Sequence, residues 1–229
     1  MKLNYEWVEG KFIEKINRFL AWVEIDGILY KSHIPNTGRL NELLFKGNQI
    51  VMSTHDDENR KTNFSIRFAY KDGELFSIDS QLPNKIVEEA LINKSIIYFR
   101  SYDSIKSEKK ILNSRFDFYL EGKGQKPCFI EVKGVTLEKD KIASFPDAPT
   151  KRGIRHIKEL IELKYEGFRV AIVFLVQFEN AKSFHPNYKD KEFIDTLIEG
   201  KNKGVEIYAY RCFVNRDEVL IDIEIPVEI

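Results

Sequence analysis

The hydrophobic period of this chain changes once, near residue 83, and that change limits what it can fold into. Before it, apolar residues come in short β-prone runs over 12–25, 28–34, 49–53, 64–70 and 75–78. Turn signals separate them, namely Asp26-Gly27, Lys46-Gly47-Asn48 and Lys71-Asp72-Gly73. Between the second and third runs, Thr37-Gly38-Arg39-Leu40-Asn41-Glu42-Leu43-Leu44 predicts one or two helical turns. Five strands with a short helix among them suit a small closed barrel. An OB-fold is one such barrel, and its open face holds single-stranded nucleic acid.

From Pro83 the spacing becomes helical. Apolar residues at 86, 87, 90 and 91 predict a helix over 84–91, with Asn84 as N-cap. Strand-like segments follow at 95–102, 115–120 and 127–133, then a helix over 150–166 with Gly167 closing it. Residues 168–176 are apolar on both faces, as a central strand must be. A helix over 193–203 precedes two strands, the last with Val219, Ile221, Ile223 and Ile225 on one side. This order is an α/β core. The expected organisation is a barrel over 1–82 and an α/β domain over 83–229.

Charge narrows the functional classes. The 229 residues carry 36 Lys and Arg against 36 Asp and Glu, which excludes a protein that binds nucleic acid through overall positive charge. The balance is uneven along the chain, however. Residues 101–160 hold 13 basic and 9 acidic side chains, whereas 161–229 hold 9 and 13. Cys128 and Cys212 lie in apolar contexts and form no CxxC, as expected of buried thiols in a reducing compartment. The first fifteen residues have no apolar h-region, and the longest apolar run, 170–176, is too short to span a bilayer. The expectation is a cytoplasmic protein with no membrane partner.

The strongest chemical constellation is Ser114-Arg115-Phe116-Asp117-Phe118 followed by Phe129-Ile130-Glu131-Val132-Lys133. Glu131 and Lys133 are two apart on one strand and share a face. A hairpin through Gly122-Lys123-Gly124 can set Asp117 beside Glu131. Two carboxylates and an ammonium form a site for a hard divalent cation such as Mg²⁺ or Mn²⁺, which takes one or two carboxylates, keeps waters and meets substrate phosphate. An isolated Glu-x-Lys is an ordinary exposed strand face. The helix–strand–strand–strand–helix order around this one resembles the PD-(D/E)xK (restriction-endonuclease-like) superfamily, in which Asp and (D/E)xK occupy those strands.

Four segments extend the resemblance: 33–40 (HIPNTGRL), 114–118 (SRFDF), 131–137 (EVKGVTL) and 145–156 (FPDAPTKRGIRH). Through them the chain resembles the sugar fermentation stimulation protein A family over essentially its whole length. The resemblance implies an N-terminal OB-fold, a C-terminal PD-(D/E)xK-like domain and DNA binding without marked sequence preference. It also implies a role in regulating sugar-catabolic genes. Carried over by motif, Asp117, Glu131 and Lys133 take the metal and catalytic positions. Many members have Tyr-Gly before the Ser-Arg motif where this chain has Ile111-Leu112-Asn113.

Other residues are secondary. Glu89 and Glu108 are further acids that could reach a cation, the alternatives being a solvated helix face and a strand edge. Arg152, His156 and Glu159 share one side of their helix. His156 is either a packed, hydrogen-bonded histidine or a phosphate contact, and Asp147 either a cap or a ligand. Arg39, Lys61, Arg115, Arg152 and Arg155 are candidate DNA contacts. Trp22, Phe64, Phe68 and Tyr70 offer stacking surfaces unless they fill the barrel. No GxSxG, P-loop or zinc-like Cys/His spacing is present. The resulting expectation is metal-assisted phosphodiester hydrolysis on DNA, single strands included, with a non-catalytic DNA-binding regulator as the alternative.

Overall fold

The computed structural model describes residues 1–56 and 60–229. The first unit contains β1 (Trp7–Asn17), β2 (Leu20–Ile25), β3 (Ile28–His33), β4 (Gln49–Thr54), β5 (Phe64–Lys71) and β6 (Glu74–Ser77). Their order is β3-β2-β1-β4-β5-β6, and a parallel β3–β5 pairing, Ser32↔Phe64, closes five of them into an OB-like barrel. The run read as one strand over 12–25 is two. Asn17 Oδ1 accepts the Phe19 amide at 2.9 Å, so the side chain makes a tight turn without Gly or Pro. Over 37–44 no helix forms. Leu40 has φ +51°, and only one turn closes after it, through the Leu44 amide donating to the Leu40 carbonyl at 2.7 Å.

The second unit begins with α1 (Leu82–Ile92), whose first turn contains Pro83. Gln81, not Asn84, is its N-cap. The expected strand over 95–102 is instead a 3₁₀ turn (Ile97–Phe99). Ile96, Phe99 and Tyr102 are buried at intervals of three, the 3₁₀ period. The strand that fills its place, β7 (Ser104–Ile111), is a charged sheet edge and gave no apolar signal. Next come β8 (Ser114–Glu121), β9 (Cys128–Val135), β10 (Leu137–Lys139), β11 (Ile142–Phe145), α2 (Lys151–Tyr165), β12 (Arg169–Val176) and β13 (Ser183–Pro186). The chain ends with α3 (Lys191–Asn202), β14 (Glu206–Val214) and β15 (Val219–Glu224).

The main sheet runs β15-β14-β12-β9-β8-β7, with β12 parallel to both β9 and β14, and β10-β11-β13 form a small second sheet. Each main-sheet face buries one set of strand residues. Ile130, Val132, Ala171 and Val173 pack with α1, while Phe129, Ile172 and Phe174 pack with α2. The α2 core continues without a break into the barrel, taking in Phe12, Val23, Ile34, Ile50 and Ile66. A register shift opposite Arg211/Cys212 interrupts β15, so its apolar side is incomplete. Val219 and Ile225 are buried, but Ile223 is 47% exposed. Both cysteines are buried and free, and burial pushes the Cys128 thiol up to about 12. No helix among the described residues is long and apolar enough to cross a membrane.

Candidate active site

The site forms where two strands separate. Pairing between β8 and β9 runs only from Leu120↔Cys128 to Phe118↔Ile130. The Val132 amide donates instead to Asp117 Oδ2, at 2.7 Å. Asp117 Oδ1 accepts from Asn84 Nδ2, also at 2.7 Å, so the residue expected to cap α1 holds the carboxylate. Burial, with the neighbouring Glu131 charge second, pushes the Asp117 carboxyl up to about 6. The Val132 and Asn84 hydrogen bonds act in the opposite direction.

Glu131 stands on the α2 side of β9 and is 2% exposed. Burial alone would raise its carboxyl. Lys133 and His156 outweigh it and hold the carboxyl below its ordinary value. Both hydrogen-bond to Glu131 Oε1, Lys133 through Nζ and His156 through Nδ1. Arg152 Nε lies 3.4 Å from His156 Nε2. An arginine only donates, so Nε2 accepts and the His156 proton sits on Nδ1, directed at Glu131. The other oxygen, Glu131 Oε2, is buried without a hydrogen-bond partner among the described residues.

Asp117, Glu131 and Lys133 are therefore brought together as expected. Other candidates are placed elsewhere. Glu89 is exposed and pairs with the amino terminus at 2.7 Å. Glu108 is exposed and pairs with Arg115 at 2.8 Å. His156 is 2% exposed, with both ring nitrogens engaged, and so is unable to contact DNA. Asp147 is not the cap of α2, which is Thr150. Asp147 Oδ2 accepts the Leu40 amide at 3.0 Å and ties the barrel to the loop before α2. The acid of α1 that faces the sheet is Glu88, one helical turn from Asn84, its Oε1 accepting from Ser107 Oγ at 2.5 Å. The four-residue spacing from Asn84 to Glu88 was the available signal, and it was missed because Asn84 was read as a cap.

Arg115 is exposed on the strand of Asp117, Arg152 and Arg155 are exposed on the helix of His156, and Arg39 is exposed on the barrel loop that faces Thr136. Lys61 lines a shallow groove on the barrel with Arg60 and the half-exposed Phe19. Of the proposed stacking residues, Phe68 is fully buried and Trp22 is half-buried under Lys31, whose Nζ is 5.3 Å from the ring.

An OB-like barrel joined to an α/β sheet whose strands part at Asp117 and Glu-x-Lys defines a two-part protein of OB and α/β units. The comparisons agree. Residues 13–78 match the SfsA N-terminal OB domain, and residues 81–218 match the sugar fermentation stimulation protein RE domain. The chain belongs to the sugar fermentation stimulation protein (SfsA) family. A homolog from Caldanaerobacter subterraneus subsp. tengcongensis is 50% identical over 92% of each chain, and one from Clostridium kluyveri is 44% identical over 97% of each. The solved structure of Pyrococcus furiosus SfsA in complex with Ca²⁺ matches at TM-score 0.91 and 30% identity, covering 100% of this chain and 98% of that one.

Proposed function

We propose that the chain is a divalent-cation-dependent phosphodiesterase acting on DNA with little sequence preference. One observation carries the reading: Glu131 Oε2 is buried without a partner among the described residues, and the Glu131 carboxylate is close enough to Asp117 to raise that carboxyl. A buried, unsatisfied carboxylate oxygen beside a second, half-buried carboxylate favours a cation. Among the described residues no group of three or more His, Cys, Asp or Glu side chains forms a ready cage. The donor set therefore fits a cation such as Mg²⁺ or Mn²⁺ that keeps waters and substrate oxygens as its remaining ligands. The solved Pyrococcus furiosus relative, in complex with Ca²⁺, supports a divalent cation in this fold.

Asp117 and Glu131 would hold the cation, which when bound polarises a phosphoryl oxygen and acidifies a water. Val132 N–H and Asn84 fix Asp117, and His156 fixes Glu131, so the carboxylates are preorganised. Lys133, 14% exposed at its side chain, would offset the negative charge that develops on an attacked phosphate. Arg115, Arg152 and Arg155 supply phosphate contacts at the rim, and Arg60 and Lys61 supply them on the barrel.

The test is cleavage of single- and double-stranded DNA with Mg²⁺ or Mn²⁺ by the wild type, Asp117→Ala and Lys133→Ala. Loss of cleavage in both variants is expected, by about 10²–10³ for the lysine. Equal cleavage by all three would overturn the reading. DNA binding with no cleavage by any of them would instead favour the regulator alternative.

A further inference from the structure

Three segments singled out in the sequence take no part in the cation site: 36–40, 134–137 and 145–150. The fold brings them together. They line one cavity of about 290 Å³ between the barrel and the α/β unit, bridged by the hydrogen bond from the Leu40 amide to Asp147. Its lining includes Gly134, which follows Lys133 in the chain, and Thr150, the N-cap of the helix that carries Arg152 and His156. The cavity and the cation site therefore share β9 and α2.

The lining fits a neutral polar occupant rather than a phosphate. It contains no Lys, Arg or His, and its one charge is the Asp147 carboxylate, which would repel an anion. Polar groups are supplied by Thr37, Thr136, Ser144 and Gln177, and apolar wall by Phe145 and Pro146. Gln177 is 1% exposed. Its Oε1 accepts from Ser77 Oγ at 3.5 Å, and its Nε2 faces Gly134. A Cβ on Gly134 would stand 3.2 Å from that Nε2 and 2.7 Å from Pro83 Cγ, so a side chain there would crowd the amide. The Gln177 side chain lines the cavity, so its amide can meet the polar edge of an occupant.

An aromatic face on apolar walls with a polar edge on neutral donors and acceptors is how proteins hold a splayed-out base. The volume is at the low end of ligand pockets, enough for one base and too little for a stacked run. We propose that this cavity receives one unpaired nucleobase of the DNA strand whose backbone lies at Asp117, Glu131 and Lys133. The proposal rests on the phosphodiesterase reading only for where the strand's backbone lies.

The test scans 2-aminopurine through each position of a short single-stranded DNA in Ca²⁺ and follows fluorescence and affinity. The wild type should respond at one position, and an abasic site there should weaken binding about tenfold or more. Ala148→Leu, which fills the cavity, should abolish that response while calorimetric Mn²⁺ binding without DNA stays unchanged. If Ala148→Leu fails to fold, the near-isosteric Thr136→Val decides, and it should reduce the response. No position-specific response, or one that survives the cavity substitution in folded protein, overturns the proposal. A response by protein that cleaves no DNA sinks the phosphodiesterase reading alone. Cleavage together with a response indifferent to the cavity sinks the pocket alone.

Discussion

Asn84 and Asp117, 33 residues apart in sequence, meet at 2.7 Å and join the first turn of α1 to the strand carrying the site. This donor opposes the burial and the Glu131 charge that raise the Asp117 carboxyl to about 6. A cation needs that carboxyl ionised, so divalent-metal affinity should weaken as pH falls through about 6. In Asn84→Ala the midpoint should move to higher pH, because a bond to the charged form is gone. Calorimetric Mn²⁺ titrations between pH 5 and 8 check this, and coincident profiles for the two proteins would contradict it.

The same carboxyl sets a pH dependence of stability. Its folded value, about 6, lies above the ordinary 3.8, so between the two the folded chain keeps a proton that the unfolded chain has released. The stability this group contributes is full below about 4 and is lost as pH rises to about 6, on the order of 1–3 kcal/mol. Asp117→Asn should remove that loss and raise the thermal midpoint at pH 7 in the presence of a chelator. Melting curves from pH 4 to 7 measure it. A variant less stable than the wild type at pH 7 would count against the argument.

His156 is a positioning residue for Glu131. His156→Ala leaves a buried carboxylate with Lys133 as its one remaining side-chain hydrogen-bond donor, and should cost about 1–3 kcal/mol of stability. Metal affinity should fall about 10–100-fold. His156→Asn, whose amide can replace the Nδ1 donor, should recover much of the metal affinity. Equal losses in both variants would mean that His156 merely fills space.

On the barrel, Arg60 and Lys61 border a groove beside Phe19. If they contact phosphates of a single strand, replacing both with alanine should lower the log–log salt slope of binding by about 1.4. Fluorescence anisotropy at several salt concentrations reads that slope, and an unchanged slope would remove this groove from the binding surface.

The central chemistry was legible because the period-2 rule leaves Glu131 and Lys133 no choice but a common face. An unbroken apolar run, rather than alternation, placed the buried β12. What was missed follows from interactions between segments distant in sequence. Asn84 looks like a cap until Asp117 is beside it, and Glu89 looks as available as Glu88 until the Glu88–Ser107 hydrogen bond fixes which faces the sheet. The β7 edge was hidden by its charges, since an edge strand needs little apolar surface. β10 and β11 were lost for a similar reason, with Glu138, Lys139, Asp140 and Lys141 spanning their turn.

The uninterrupted core from α2 into the barrel gives the two family domains a shared thermodynamic fate. Phe12 and Ile50 belong to the same buried cluster as Phe129 and Leu160. Across that cluster, Ser77 N–H donates to the Gln177 carbonyl at 3.0 Å, while Glu74 accepts the amides of Glu179 and Asn180. Melting the barrel would expose the part of this shared cluster that its strands supply. The boundary near residue 80 between the two family models is therefore not a boundary of cooperativity, and a calorimetric scan should show the whole chain unfolding as a single unit.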